Sequence, residues 1–322
     1  MKKVIYWFLV AIFAILFIIV ILSIFSKEKR ECIITTSINN WHFQISGDFK
    51  DSLKFESIIK FLKSEYAKFK KEQEKLNIFG ENEYVPVSKD FLFLMKKSLR
   101  VAHLTNGYYD PTYYVFLKLW GFETKNYKLP NYGEIELVSK NVDFNKIDIQ
   151  GNTIKLGLGQ KITIEDILKP YLVLKAWDKY KKLKMILELD EIFVNTKNKK
   201  FGIKNPENPS QFLGEIVLKN DEMVVSLNPF YNFFGIGKDL YHYIINPKTG
   251  YPANGELMGV ILVGNDCTLL ALAKALYCMG LDKAIDFMKK NSVKGILIYK
   301  LKGKVRIFLN GDLEFHSKEK GK

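Results

Sequence analysis

The chain has 322 residues, with 49 Lys and Arg against 35 Asp and Glu, four His and three Cys. Its formal net charge of +14 comes from lysines spread along the whole sequence with no motif gathering them on one face. That argues against a nucleic-acid interface and leaves a solvated basic surface compatible with an anionic bilayer or an acidic partner. Cys32, Cys267 and Cys278 lack zinc-ligand spacing and permit at most one internal disulfide.

Residues 4–25 are apolar except for Ser23, long enough to span a bilayer, and flanked by Lys2-Lys3 and by Lys27, Lys29 and Arg30. No small-residue cleavage site follows, and Cys32 stands after charged residues instead of in a lipoprotein box. Residues 1–31 are therefore expected to be an uncleaved membrane anchor with its flank, residues 32–316 one α+β domain, and residues 317–322 a basic tail. Lysines and arginines near the two ends are too evenly balanced to fix orientation.

Residues 32–46 alternate as a first strand, and residues 53–71 carry Phe55, Ile58, Ile59, Leu62, Tyr66 and Phe69 at helical spacing. A second helix is expected after Ser88, with Phe91, Leu92, Met95, Leu99 and Ala102 on one side and a stop at Asn106-Gly107. A third opens at Asp110 as N-cap with Pro111 in its first turn, and closes at Gly121. Residues 144–158 read as two strands turned at Gln150-Gly151-Asn152, residues 170–183 as a helix starting at Pro170, and residues 195–209 as polar turns. Strand and helix then alternate: strands at 216–226 and 258–263, a helix at 266–279 and a strand at 295–299. Residues 305–309 and 313–316 flank Asn310-Gly311, a hairpin signal.

Three blocks carry a family resemblance. Gly107-Tyr108-Tyr109-Asp110-Pro111-Thr112 followed by Leu119-Trp120-Gly121-Phe122 resembles a block of the FAD:protein FMN transferases, the ApbE-like enzymes. Tyr243-Ile244-Ile245-Asn246-Pro247-Lys248-Thr249-Gly250-Tyr251-Pro252 is similar to that family's His-Ile-Ile-Asp-Pro-x-Thr-Gly-x-Pro. Ala271-Leu272-Ala273-Lys274-Ala275-Leu276-Tyr277-Cys278-Met279-Gly280 is similar to its Asp-Ala-Leu-Ala-Thr-Ala-Leu-x-x-Met-Gly. The order and spacing agree. The resemblance implies an antiparallel-rich, two-lobed fold and transfer of FMN from FAD to a threonine of a partner, a membrane-bound redox protein. It also implies a soluble domain on the outer, periplasmic side of the cytoplasmic membrane.

By the same resemblance, FAD contacts fall on Tyr108, Tyr109, Asp110, Thr163, Lys169 and Ile244, a reacting group on His242, and a metal position on Asp166. The first block has a plainer use as well, with Asp110 a helix cap and both tyrosines in the core. Several family positions are altered. In relatives a carboxylate and a threonine of the Asp-Ala-Leu-Ala-Thr block hold magnesium, whereas here Leu270 and Lys274 stand in those places. Leucine cannot ligate a hard cation and an ammonium repels one. Thr163 to Pro170 aligns with Asp-Leu-Gly-Gly-Ile-Ala-Lys-Gly, keeping Lys169 but adding Glu165 and Asp166 where a pyrophosphate would lie, and replacing a glycine with Pro170. The family histidine falls on Tyr243, with His242 one place earlier, which on an extended segment points to the opposite face.

Two functions stay open on these residues. One is an FMN transferase-like protein with impaired catalysis. The other is a membrane-anchored, non-catalytic scaffold that binds flavin or a partner. In either, Asp166 and Lys274 are expected to form an ion pair in place of magnesium.

Overall fold

A computed structural model describes residues 31–318 apart from 181, 197, 198, 220 and 221. The expected span at residues 4–25 lies outside the described residues, among which no helix is long and apolar enough to cross a membrane.

Eight strands form one antiparallel sheet whose spatial order follows the chain: Glu31–Ile38, Trp41–Asp48, Met185–Leu189, Ile192–Asn195, Met223–Leu227, Leu257–Gly264, Gly295–Leu301 and Lys304–Asn310. Alternating side chains give the sheet two buried faces. Val225, Val260 and Leu262 point into the larger apolar cluster, under the helices. Val224, Ile261 and Val263 point into a smaller one with Ile203, Leu213 and Ile216 of a second sheet. That three-stranded sheet runs Glu314–Ser317, Asn208–Val217, Lys200–Asn205.

The helices are α1 (Ser52–Phe79), α2 (Lys89–Leu104), α3 (Tyr114–Trp120), α4 (Tyr132–Ser139), α5 (Glu165–Tyr180), α6 (Leu269–Met279) and α7 (Leu281–Lys290). The buried face of α1 continues past residue 71 through the polar Gln73 and the apolar Leu76, so the helix runs further than its first repeats suggest. Ser88 caps α2 by accepting from the Phe91 N–H at 3.2 Å. The Asp110 helix starts as a single 3₁₀ turn, Pro111–Tyr113, before α3. Gly121 ends it at φ 79°, and a Cβ there would lie 1.9 Å from the Asn126 carbonyl oxygen, so only glycine fits.

Five expectations are corrected. The first strand is a hairpin, turned at Asn39-Asn40 with Asn39 at φ 54°, a conformation asparagine tolerates. Helix α5 begins at Glu165 and carries Pro170 inside it. The Thr163 hydroxyl accepts from the Glu165 N–H at 3.2 Å, and burial of Ile167, Leu168, Leu172 and Val173 carries the helix through the one hydrogen bond that proline removes. Residues 195–209 contain the strand Lys200–Asn205 and the start of Asn208–Val217 instead of turns alone. Residues 216–226 do not form one strand, since Asn208–Val217 and Met223–Leu227 lie in different sheets.

The Asn310-Gly311 hairpin is absent as well. Lys304–Asn310 pairs back on Gly295–Leu301 through Lys302-Gly303, while Glu314–Ser317 joins Asn208–Val217. The Asn310 amide is held by the carbonyls of Met288 at 3.0 Å and Val293 at 2.7 Å, and Leu313 and Phe315 pack in the second cluster. The turn therefore sends the chain from one layer to the other. All three cysteines are free.

Candidate functional site

The C-terminal half of α1 fixes the approach to α5. Gln73 accepts from the Ile164 N–H at 3.0 Å, and Asn77 brackets Ile162 through its N–H at 2.7 Å and its carbonyl at 2.9 Å. The Thr163 N–H donates to the Pro111 carbonyl at 3.0 Å, which ties the 3₁₀ turn to the start of α5. Asp166 in the first turn of α5 and Tyr113 at the end of the 3₁₀ turn thereby meet, the tyrosine hydroxyl donating to Oδ2 at 2.9 Å.

Into this junction α6 projects Lys274, the lone charge on a helix otherwise built of leucine and alanine around it. Its Nζ lies 2.6 Å from Asp166 Oδ1, with the two side chains 10% and 4% exposed. It also donates to the Tyr113 hydroxyl at 3.2 Å and sits 4.8 Å over the Tyr243 ring. The expected ion pair is present. Burial opposes the lysine's charge, yet Asp166 and Glu191 hold its pKa above the ordinary value.

A second pair adjoins the first. Lys169 reaches Asp190 at 2.7 Å and Glu191 at 3.3 Å and lies 5.3 Å over the Trp41 ring. The Tyr243 hydroxyl donates to Glu191 at 2.5 Å. Burial raises the Glu191 pKa, but Lys169 and then Lys274 outweigh it and hold the carboxyl below its ordinary value. Glu165 faces Lys70 at 3.6 Å and the Trp41 indole N–H at 3.4 Å, and burial pushes its pKa up. These groups line a cavity of about 300 Å³, closed by Asn39 and Asn40 of the first hairpin and by Tyr231, Asn232 and Phe233.

Of the residues named from sequence, Thr163, Asp166 and Lys169 line this cavity. Tyr108, Tyr109, Asp110, His242 and Ile244 do not. Tyr109 is buried, its hydroxyl 3.0 Å from Ser98 Oγ, and Tyr108 is half-buried under Lys283, which donates to its hydroxyl at 2.9 Å. Asp110 accepts from the N–H and hydroxyl of Thr112 at 2.8 and 2.6 Å and from the Phe144 N–H at 3.0 Å. Ile244 is fully buried, its N–H donating to His242 Nδ1 at 3.3 Å.

His242 bonds the Ala253 carbonyl through Nε2 at 3.0 Å and packs T-shaped with Tyr277, ring centroids 5.7 Å apart, without lining the cavity. Burial lowers its pKa to about 4. Tyr243 holds the cavity-facing place. Asp190, Glu191 and Trp41 were not singled out from sequence. Their signal is an acidic pair interrupting two apolar strands, Met185–Leu189 and Ile192–Asn195.

Magnesium does not fit these residues. It requires near-octahedral oxygen at about 2.0–2.1 Å, whereas the Lys274 ammonium occupies the inner side of Asp166 and Leu270 is buried in the core. Among the described residues no three His, Cys, Asp or Glu are grouped to hold a metal ion.

The ApbE family model matches residues 34–297, most of the chain. The chain belongs to the ApbE family. It is 26% identical over 265 residues to an FAD:protein FMN transferase of Haemophilus influenzae, covering 76% of each chain. To another FAD:protein FMN transferase, of Vibrio cholerae, it is 23% identical over 264 residues, covering 76% of this chain and 78% of that one. The crystal structure of the ApbE protein of Thermotoga maritima superposes with a TM-score of 0.73 at 22% identity, covering 90% of this chain and 97% of that one. The flavin transferase ApbE of Vibrio cholerae superposes with the same TM-score at 18% identity, covering 87% and 97%. These likenesses extend the family assignment to the mixed α/β fold with antiparallel sheets.

Proposed function

We propose that this protein is a non-catalytic ApbE-family member, a membrane-anchored binding scaffold in which magnesium-dependent FMN transfer from FAD to a partner's threonine has been lost. The observation that carries this reading is the Asp166–Lys274 pair at 2.6 Å, an internal cation in the place where the family resemblance puts a metal. Four further carboxylates, Glu123, Glu165, Asp190 and Glu191, line the same cavity and disfavour a pyrophosphate there. The anchor is residues 4–25, retained in the mature protein, with the folded domain on the outer side of the cytoplasmic membrane beside a membrane-bound redox partner. Mass analysis recovering a chain that starts after residue 25 would overturn the anchor.

The deciding experiment incubates the full chain in detergent with FAD, magnesium and a threonine-bearing acceptor, and measures AMP. No release above background is expected, and magnesium-dependent release would overturn the proposal. A second reading is favoured by the position of Lys274 alone: transfer without metal, with the ammonium in magnesium's place. Its signature is AMP release that survives chelation by EDTA and is lost in Lys274→Met.

A further inference from the structure

The cavity and the start of the first strand lie at opposite ends of the large sheet. The turns of two hairpins line the cavity: Asn39-Asn40, between Glu31–Ile38 and Trp41–Asp48, and Asp190-Glu191, between Met185–Leu189 and Ile192–Asn195. The open ends of the same hairpins meet at the far end of the strands, where Glu31 stands opposite Asp48 and Gly47 opposite Met185. A Cβ on Gly47 would lie 2.7 Å from the Lys184 carbonyl oxygen, so residues 182–184 pack against that end. Eight residues of strand separate it from the cavity, about 26 Å. Helix α5 gives the same measure, since it starts at Glu165 on the cavity wall and its 16 residues end at Tyr180, about 24 Å away.

The far end carries two large apolar side chains in solvent. Phe49, in the 3₁₀ turn after Asp48, is 56% exposed, and Leu53, in the first turn of α1, is 75% exposed. Single exposed apolar residues are ordinary, but these two sit beside Glu31, the residue that follows the link to the apolar run. Lysines flank them: Lys50, Lys54, Lys182 and Lys184 are all exposed. Lys50 neutralises Asp48 at 3.1 Å and Lys54 neutralises Asp51 at 2.8 Å. Among the described residues neither Lys182 nor Lys184 has an ion-pair partner. Five residues, Ser26-Lys27-Glu28-Lys29-Arg30, separate Glu31 from the apolar run at 4–25. With that run as the anchor, the bilayer surface lies within about 22 Å of Glu31, the full stretch of the linking chain.

We infer that this end of the domain rests on the lipid bilayer, with Phe49 and Leu53 entering the boundary between headgroups and acyl chains and Lys50, Lys54, Lys182 and Lys184 reaching the lipid phosphates. The apolar tips leave water for hydrocarbon, while the long lysine side chains keep their charged ends in the headgroup layer. The strands then stand away from the membrane and hold the cavity about 26 Å above the headgroups, at the height of a partner's soluble segment. The inference rests on the proposed anchor and not on whether the protein is catalytic.

The test places the full chain in vesicles of phosphatidylcholine and phosphatidylglycerol, with Cys32→Ser and a nitrobenzoxadiazole label on either Leu53→Cys or, at the cavity turn, Asn40→Cys. Cys267 and Cys278 are buried and stay unlabelled. A lipid carrying a nitroxide next to its headgroup should quench the label at residue 53 several-fold more than the label at residue 40. Adding Phe49→Glu to Leu53→Cys should cut that quenching several-fold and leave the melting temperature unchanged, because the side chain it replaces is exposed. Flotation of the vesicles after a carbonate wash reports the anchor separately. A chain that floats yet shows equal quenching at the two positions overturns the inference and leaves the anchor standing. So does quenching that Phe49→Glu fails to reduce. A chain stripped off by carbonate removes the anchor, and this inference with it.

Discussion

Two buried aspartates, both 3% exposed, are satisfied in opposite ways. Asp110 has three hydrogen-bond donors, two from Thr112 and one from the Phe144 backbone, and among the described residues no lysine or arginine is ion-paired to it. Asp166 has a lysine at 2.6 Å and a tyrosine hydroxyl at 2.9 Å. The first arrangement is what a helix start needs and holds the chain together whether or not a ligand binds. The second is a charge placed deep in an apolar helix pair and answered by an equal and opposite one, which a fold does not require. Family resemblance in a structural cap therefore says little about chemistry, while departure from it at a buried charge says a good deal.

The largest way to break this comparison is to strip the charge from one side only. Lys274→Ala leaves Asp166 buried and unpaired and should cost about 3–5 kcal/mol of stability in urea unfolding. The double change Lys274→Met with Asp166→Leu should cost clearly less. Equal losses in the two variants would mean that packing, not charge pairing, holds the site.

His242 sharpens the contrast through pH. Its folded pKa, about 4, lies below the ordinary 6.5, so the folded state resists protonation. The stability tied to this ring is complete above pH 6.5 and is lost as pH falls toward 4, on the order of 2 kcal/mol. Unfolding of the wild type and His242→Gln at pH 7 and 4.5 measures the difference, and parallel pH profiles would contradict the burial argument.

Asp110→Ala should cost about 2 kcal/mol, because it removes a cap and a contact across the chain to Phe144. Burial raises the Asp110 pKa, so ionisation disfavours the folded state. Its contribution therefore weakens as pH rises through that raised value, opposite to the usual paired carboxylate. The stability gap between wild type and mutant across acid pH reports it. The smallest expected effect is that of magnesium: millimolar addition should leave the melting temperature unchanged, and a rise would restore the cation site.

Legibility in the sequence followed the range of the forces involved. Helix limits set by local caps, Ser88, Asp110 and Gly121, could be read directly, as could the paired strands around Gly151. Partner choice could not. Asn310-Gly311 has the residues of a hairpin turn, yet the anchoring of Asn310 by Met288 and Val293 decides where the next strand goes. Pro170 misled for the same reason, since tertiary burial overrides its preference for a helix start. At the site, the Asp166–Lys274 pair was readable because two aligned blocks each carried a substitution of opposite charge. Asp190 and Glu191 look like an ordinary solvated turn until Lys169 is seen reaching them from α5.

The large sheet also sets a schedule for the growing chain. Trp41–Asp48 must wait for Met185–Leu189 to pair with it, a gap of roughly 140 residues. At about 5–20 residues per second, synthesis takes on the order of 10 s to deliver that partner. Throughout that interval the early hairpin offers an open strand edge and the unburied Phe43 and Ile45, a template for pairing with another nascent copy. Folding yield should therefore depend on how crowded the ribosomes are and on whether a chaperone shields that edge.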